Sequence, residues 1–269
     1  MLLLPLIAFS LLSLPLETGP TLVEFQTADG VTIHGWYLHT GDHNQEDGKP
    51  HTKEHFVDQP AVVLLHMYQS DRHSWIPLAG TFRERGIATL FIDMRGHGES
   101  KFGPDGEDLS KRVRDRDPAL FSAMWQDAAG AVEWLVEHGH PREHIGLLGA
   151  SVGCSVALDA ARRDPKLKTV GVLTPGVKFL DVPTLDHLPD WGNRELLLVS
   201  SPEEWNKGAG PIQAFLVDVG QASITTWIIP GKNIHGTNML EAIPFIDERL
   251  ASWFSTRLKG GGPTPSLLR

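Results

Sequence analysis

The 269-residue chain is 41% hydrophobic and 21% charged, the proportions of a folded globular protein rather than a disordered or fibrous one. Its 24 basic and 33 acidic residues give a formal charge of −9, which argues against nucleic acid or an anionic membrane surface as a partner. The single cysteine, Cys154, excludes an intramolecular disulfide, a dithiol redox pair and a cysteine-rich zinc site.

Residues 1–16 are nearly all apolar, interrupted by Pro5 and Pro15, and no Lys or Arg precedes Lys49. A secretory signal carries an early positive charge, and a membrane-spanning helix needs about 20 apolar residues. The segment 1–20 therefore stays open between a degenerate export signal and an apolar stretch packed on the domain. Localisation, cytoplasmic or exported, stays open with it, and no stable membrane span is expected. Residues 22–26 and 31–38 flank Asp29-Gly30, a hairpin signal for an antiparallel pair at a sheet edge.

From residue 61 onward, short apolar runs alternate with stretches of helical period. Strands are predicted at 61–65, 87–92, 145–148, 169–173, 195–199 and 223–229. Helices are predicted at 75–85, 119–138, 152–163, 211–219 and 240–258, the last with Pro244 near its first turn. This order implies one α/β domain over 21–259: a mainly parallel central sheet of about eight strands with helices on both faces. The polar stretch 40–59, the charged stretch 103–118 and the Pro- and Asp-rich stretch 175–193 lack an apolar face. They are expected as loops outside the sheet, with a small or absent cap. The tail 260–269, which opens Gly-Gly-Gly-Pro, is expected to be disordered.

Gly149-Ala-Ser151-Val-Gly153 lies between a predicted strand and a predicted helix. A serine on such a sharp turn is held at strained backbone angles with its hydroxyl above the sheet, and small residues two positions away on either side avoid a clash. A helix-capping serine in a Gly-rich turn is the structural alternative. Serine needs an imidazole to take its proton. His235, in the Gly-flanked loop after the last strand, is placed to supply it. A carboxylate falling between Ser and His in chain order would fix the imidazole tautomer. The strand 195–199 ends in Ser-Ser-Pro-Glu203-Glu204-Trp205, so Glu204 is the first choice and Glu203 the reserve. An oxyanion formed at Ser151 would be held by the Val152 N–H and by a second backbone N–H, from Tyr68 or, in reserve, Met67. His66 reads as a structural histidine tying down its loop.

These pieces resemble the α/β-hydrolase superfamily, near its dienelactone-hydrolase-like and serine-aminopeptidase-like branches. The matching motifs are Gly149 to Gly153, Leu65-His-Met-Tyr-Gln-Ser-Asp-Arg72, Asp93-Met-Arg-Gly-His-Gly-Glu-Ser100 and His235-Gly-Thr, spread over residues 22–258. Relatives usually carry His-Gly where this chain has His66-Met67, and an Asp where it has Glu203-Glu204. The resemblance implies a serine hydrolase of carboxylic esters working through an acyl-enzyme, without cofactor or metal, and the stretch 175–193, too short for a large helical cap, points to small or medium esters. The alternatives are a non-catalytic binding module of the same fold and an aminopeptidase-like amidase; oligomeric state is unassigned. His39, His43, His51 and His55 read as a solvated polar loop rather than a metal site. Asp127 reads as a structural acid and Cys154 as packing. Trp75, Trp191 and Trp205 read as core or border residues of an acyl pocket.

Overall fold

The computed structural model describes residues 19–40, 59–220, 223–231 and 234–258. The apolar segment up to residue 18, the polar stretch 41–58 with His43, His51 and His55, and the C-terminal tail lie outside the described residues.

Among the described residues, eight strands form one sheet in the order β1-β2-β4-β3-β5-β6-β7-β8. β1 (Thr21–Gln26) and β2 (Thr32–Leu38) make the expected antiparallel hairpin, and β2 pairs antiparallel with β4 (Ala88–Ile92). The remaining pairings are parallel: β3 (Ala61–Leu65) with β4 and β5 (Ile145–Ala150), then β6 (Thr169–Leu173), β7 (Glu195–Ser200) and β8 (Ile224–Ile228) in turn. The register sets Leu65 opposite Gly149, Ala150 opposite Leu173, and Leu173 opposite Val199. The loops after β3, β5, β6 and β7 therefore leave the sheet along one rim, where ligands of such sheets bind.

The central strands β3 to β6 are buried throughout and almost wholly apolar because both faces are covered. Val63 and Leu65 join the core on one face with Val132 and Leu135 of α4 (Trp125–Glu137) and Val156 and Ala160 of α5 (Val152–Arg163). Val62 and Leu64 face the other core, with Leu78 and Phe82 of α1 (Ile76–Glu84) and Leu250 and Phe254 of α9 (Ile246–Leu258). The Phe254 ring reaches the sheet because Gly146 and Gly171 leave room for it: a Cβ on Gly146 would come within 2.9 Å of the ring and one on Gly171 within 3.1 Å. Trp75 and Trp191 are wholly buried core residues.

Several expected elements are corrected. The stretch 103–118 contains α2 (Leu109–Arg114), capped by the Asp108 carboxylate on the Ser110 N–H at 2.9 Å. Leu109 and Val113, four apart and so on one face, are buried while charged side chains surround them. The stretch 175–193 is part of the packed structure: Val182, Leu188 and Trp191 join the core, and the Thr184 and Ser155 hydroxyls meet at 2.6 Å. Its apolar residues follow no helical or strand period, which is why sequence pattern alone left it outside. The predicted helix 119–138 is two, α3 (Pro118–Ala123) and α4, meeting at the buried Met124. The helix predicted over 240–258 is broken into α8 (Met239–Ala242) and α9. Pro244 forces the preceding Ile243 to extended angles, φ −114° and ψ 112°. Two further helices, α6 (Pro202–Trp205) and α7 (Ala209–Asp218), follow β7.

The segment after β4 is pinned by two arginines. Arg72 donates to Asp93 at 2.8 Å and pairs with Glu99. Arg95 donates from Nε to Asp127 at 2.7 Å and from its two terminal nitrogens to Asp29 at 2.6 and 2.9 Å. Asp127 also accepts the Arg95 N–H at 2.8 Å. Asp127 is the structural acid that the sequence suggests, and burial pushes its pKa up to about 6 against the pull of Arg95. Removing one member of a buried pair leaves the other charge uncompensated. Asp127→Ala is therefore expected to lower unfolding free energy by about 3 kcal/mol, read as a fall in the urea midpoint with an unchanged slope.

Candidate active site

Ser151 sits between β5 and α5 at φ 54° and ψ −116°, a conformation that side-chain-bearing residues rarely adopt. Its neighbours dictate the turn. A Cβ on Gly149 would fall 2.1 Å from the Gly153 carbonyl oxygen, and a Cβ on Gly153 would fall 2.3 Å from that of Leu65. The helix start thus crosses the end of β3 at a distance no side chain allows. The Ser151 N–H donates to the Leu173 carbonyl at 3.0 Å, fastening the turn to β6.

His235 follows β8 and opens a short 3-10 turn over Gly236–Asn238. Its Nε2 lies 2.8 Å from Ser151 Oγ, and its Nδ1 lies 2.8 and 3.0 Å from the two carboxylate oxygens of Glu204. Glu204 stands on α6, whose N-terminus is capped by Ser201 accepting the Glu204 N–H at 3.3 Å. Glu203, one residue earlier, is exposed. The structure therefore brings Ser151, His235 and Glu204 into one hydrogen-bonded line and leaves Glu203 out of it. Hydroxyl, imidazole and carboxylate in this order can pass a proton from oxygen to nitrogen while the carboxylate steadies the resulting cation.

The backbone N–H of Val152 opens α5, where the first amides of a helix have no intrahelical partner. Met67 and Tyr68 leave β3 beside the elbow, the sharp turn at Ser151 between β5 and α5: the Met67 carbonyl accepts the Ser70 N–H at 3.2 Å, turning the loop. Tyr68 donates from its hydroxyl to the Val113 carbonyl at 3.4 Å and lies under the Arg116 guanidinium, 5.7 Å from the ring centre. Two residues that the sequence reading did not single out stand here. The Phe179 ring meets the His235 ring edge-on with centroids 5.9 Å apart. Thr174, directly after β6, accepts the Gly236 N–H on its hydroxyl at 2.7 Å. The signal available for Thr174 is its place, at the end of the strand beside the elbow strand and just before Pro175-Gly176.

A family model described as serine aminopeptidase, S33, matches residues 58–191. An esterase of Pyrococcus furiosus superposes with a TM-score of 0.63 at 18% identity, covering 89% of this chain and 93% of that one. The chain belongs to the α/β-hydrolase superfamily. Among curated members of wider length, a polyketide transferase of Stachybotrys chlorohalonatus is 27% identical over 161 residues, 59% of this chain and 45% of that protein. A thiohydrolase of Aspergillus aculeatus is 26% identical over 231 residues, 84% and 63% respectively. The chain thus spans about half to two thirds of the length of these two curated relatives.

In this α/β-hydrolase the histidine that directly follows β3 has a structural setting. His66 is wholly buried; its Nδ1 donates to the Met67 carbonyl at 2.8 Å, and its Nε2 accepts the Met94 N–H at 3.0 Å. Those partners require the neutral ring with its proton on Nδ1. Burial, helped by the neighbouring His97, pushes the His66 pKa down to about 3. Among the described residues no group of His, Cys, Asp and Glu is arranged to hold a metal ion, and no helix is long and apolar enough to cross a membrane. Cys154, buried in α5, donates from its thiol to the Gly149 and Leu173 carbonyls at 3.3 and 3.2 Å, and burial holds its pKa far above the ordinary thiol value.

A histidine that is neutral when folded but binds a proton near pH 6.5 when unfolded stabilises the fold only above that pH; the contribution is lost as pH falls from about 6.5 toward 3. His66 alone is expected to remove about 2 kcal/mol of stability between pH 7 and pH 5. His66→Gln should flatten the dependence of the urea midpoint on pH by that amount over the same window.

Proposed function

We propose that this chain is a serine hydrolase that cleaves small or medium carboxylic esters through an acyl-enzyme. The observation that carries the reading is the unbroken line from Ser151 Oγ through His235 to Glu204, with 2.8 Å at each link. In the proposed reaction Ser151 Oγ attacks the substrate carbonyl as His235 Nε2 takes its proton. The Nδ1–H to Glu204 hydrogen bond keeps the acceptor lone pair on Nε2 and stabilises the imidazolium that forms. The N–H of Val152, with that of Tyr68 or Met67, would hold the tetrahedral oxyanion. Collapse of that intermediate breaks the bond to the leaving oxygen, which receives the proton from Nε2. Water, deprotonated by the same nitrogen, then attacks the acyl carbonyl; the acyl–Oγ bond breaks to release the carboxylic acid, and Ser151 Oγ recovers its proton from Nε2. Each step is complete with protein side chains and water.

An ester substrate is supported by the esterase among the structural neighbours and the thiohydrolase among the curated relatives. Small or medium size follows from the short stretch 175–193, which is packed against the domain and forms no large helical cap. Glu204 is engaged with His235 Nδ1 and Glu203 is exposed to solvent, so the two acids are not arranged together to recognise a free N-terminus, and ester cleavage is favoured. The net charge of −9 favours neutral or cationic substrates over polyanions.

A fluorophosphonate probe is expected to label the wild type and not Ser151→Ala; labelling of both removes the proposed nucleophile. Run beside a panel of nitrophenyl esters, an aminoacyl-amide panel separates esterase from amidase. If neither panel is turned over while ligands raise the melting temperature, the chain is a binding module. Glu204→Gln is expected to lower kcat about 10³-fold or more, because an amide cannot enforce the imidazole tautomer. Glu203→Gln, at an exposed position, should change kcat by less than about threefold. The reverse order would exchange the roles of the two acids.

A further inference from the structure

Thr174 links the serine turn to the histidine turn through one hydroxyl. It is wholly buried and adopts φ 51°, in the region where a β-branched residue is an outlier. Its N–H donates to the Val199 carbonyl at 2.7 Å, so neighbouring β7 holds its backbone. Its Oγ1 donates to the Leu173 carbonyl at 2.8 Å and accepts the Gly236 N–H at 2.7 Å. The same Leu173 carbonyl accepts the Ser151 N–H at 3.0 Å. A chain of hydrogen bonds therefore runs from the Ser151 backbone, through Leu173 and the Thr174 hydroxyl, to the amide directly after His235.

Apart from the His235 ring bonds to Ser151 and Glu204, the backbone of the histidine turn is tied to itself. Asn238 N–H donates to the His235 carbonyl at 3.2 Å, and among the described residues the backbone hydrogen bond from 234–238 to the sheet is the one that Thr174 accepts. Gly236 is confined from its other side as well, since a Cβ there would lie 2.8 Å from Met67 Sδ. A hydroxyl can accept from an amide and donate to a carbonyl at once, which neither a methyl group nor a hydrogen can do. Valine at 174 would keep the shape and strand the Gly236 amide. Glycine would suit the backbone angle better than threonine and still lose the link.

We propose that Thr174 is a positioning residue that sets where the His235 imidazole stands over Ser151, and this rests on the serine-hydrolase reading given above. It touches no reacting atom; it acts by holding the Gly236 amide against the strand that also holds the Ser151 turn.

The test uses the full chain as wild type, Thr174→Val, Thr174→Gly and Thr174→Ser. Fluorophosphonate labelling rates, kcat and KM on a nitrophenyl ester, urea midpoints and the His235 ring signals of ¹⁵N-histidine-labelled protein are compared. Thr174→Val and Thr174→Gly are expected to slow labelling and kcat about 10- to 100-fold, as small misplacements of a reacting group do, with KM changed by less than about threefold. Thr174→Ser, which keeps the hydroxyl, is expected within about threefold of wild type. Folded Thr174→Gly or Thr174→Val reacting at the wild-type rate overturns the proposal, as does Thr174→Ser reacting as slowly as Thr174→Val. If Thr174→Val does not fold, Thr174→Gly decides, because its backbone is relieved while its hydroxyl is gone. If even the wild type is neither labelled nor active, the hydrolase reading fails separately, and the ring signals decide: displacement in Thr174→Gly with return in Thr174→Ser supports the positioning role, and unchanged signals overturn it.

Discussion

The first turn of α5 crosses the end of β3 so closely that no atom beyond hydrogen fits on Gly153, and the same crowding empties the Cβ position of Gly149. Ser151, between them, is left at backbone angles that cost of order 1–3 kcal/mol and that only surrounding structure can maintain. The neighbouring strands supply that restraint: the parallel register fixes Leu173 beside Ala150, and the Leu173 carbonyl receives the Ser151 N–H. The serine hydroxyl is therefore aimed by sheet geometry before any side chain meets it. The imidazole and the carboxylate then come from the ends of two further strands on the same rim.

Electrostatics secures the other boundary of this rim. Arg72 and Arg95 each bond to two acids, and their partners come from the hairpin, from the segment after β4 and from α4. Asp93 and Asp127 are almost wholly buried, so these pairs are held by hydrogen-bond geometry and are shielded from salt screening. The loop carrying His66, Met67 and Tyr68 is clamped between this cluster and the elbow, with the neutral His66 ring bonded at both nitrogens. Rigidity beside the serine is thus obtained from groups that face away from it.

Much of this was legible in the chain. Strand positions and the helix after Ser151 follow from apolar runs and period, because burial on both sheet faces leaves little freedom in residue choice. Ser151 and His235 were legible because each sits at a strand end in a setting of glycines, and Glu204 because acids at the end of β7 are few. Glu204 is already the first choice over Glu203 in the sequence, and the short helix α6 supplies the physical reason: its Ser201 cap turns one acid toward the rim and leaves the other exposed. What stayed hidden were elements without period: the packed stretch 175–193, the small helix in 109–114, and Thr174, whose role lies in a hydroxyl bonded across 62 residues of sequence. Pro244 was placed within a helix that it instead breaks, a local effect of the proline ring on Ile243.

The order of strands in the sheet also bears on how the chain is made. The central strands β3 and β5 are separated by about 80 residues, and the bond between Ser151 and His235 spans 84, so little of this rim consists of local contacts. Long-range parallel pairings of this kind assemble slowly and leave unpaired edges while they wait. On a ribosome, a nascent chain that has displayed Ser151 has yet to expose β8 and the residues beyond it. The hydrogen bond between Ser151 and His235 can therefore close only when nearly the whole domain has emerged, and the completion of this rim coincides with the completion of the sheet.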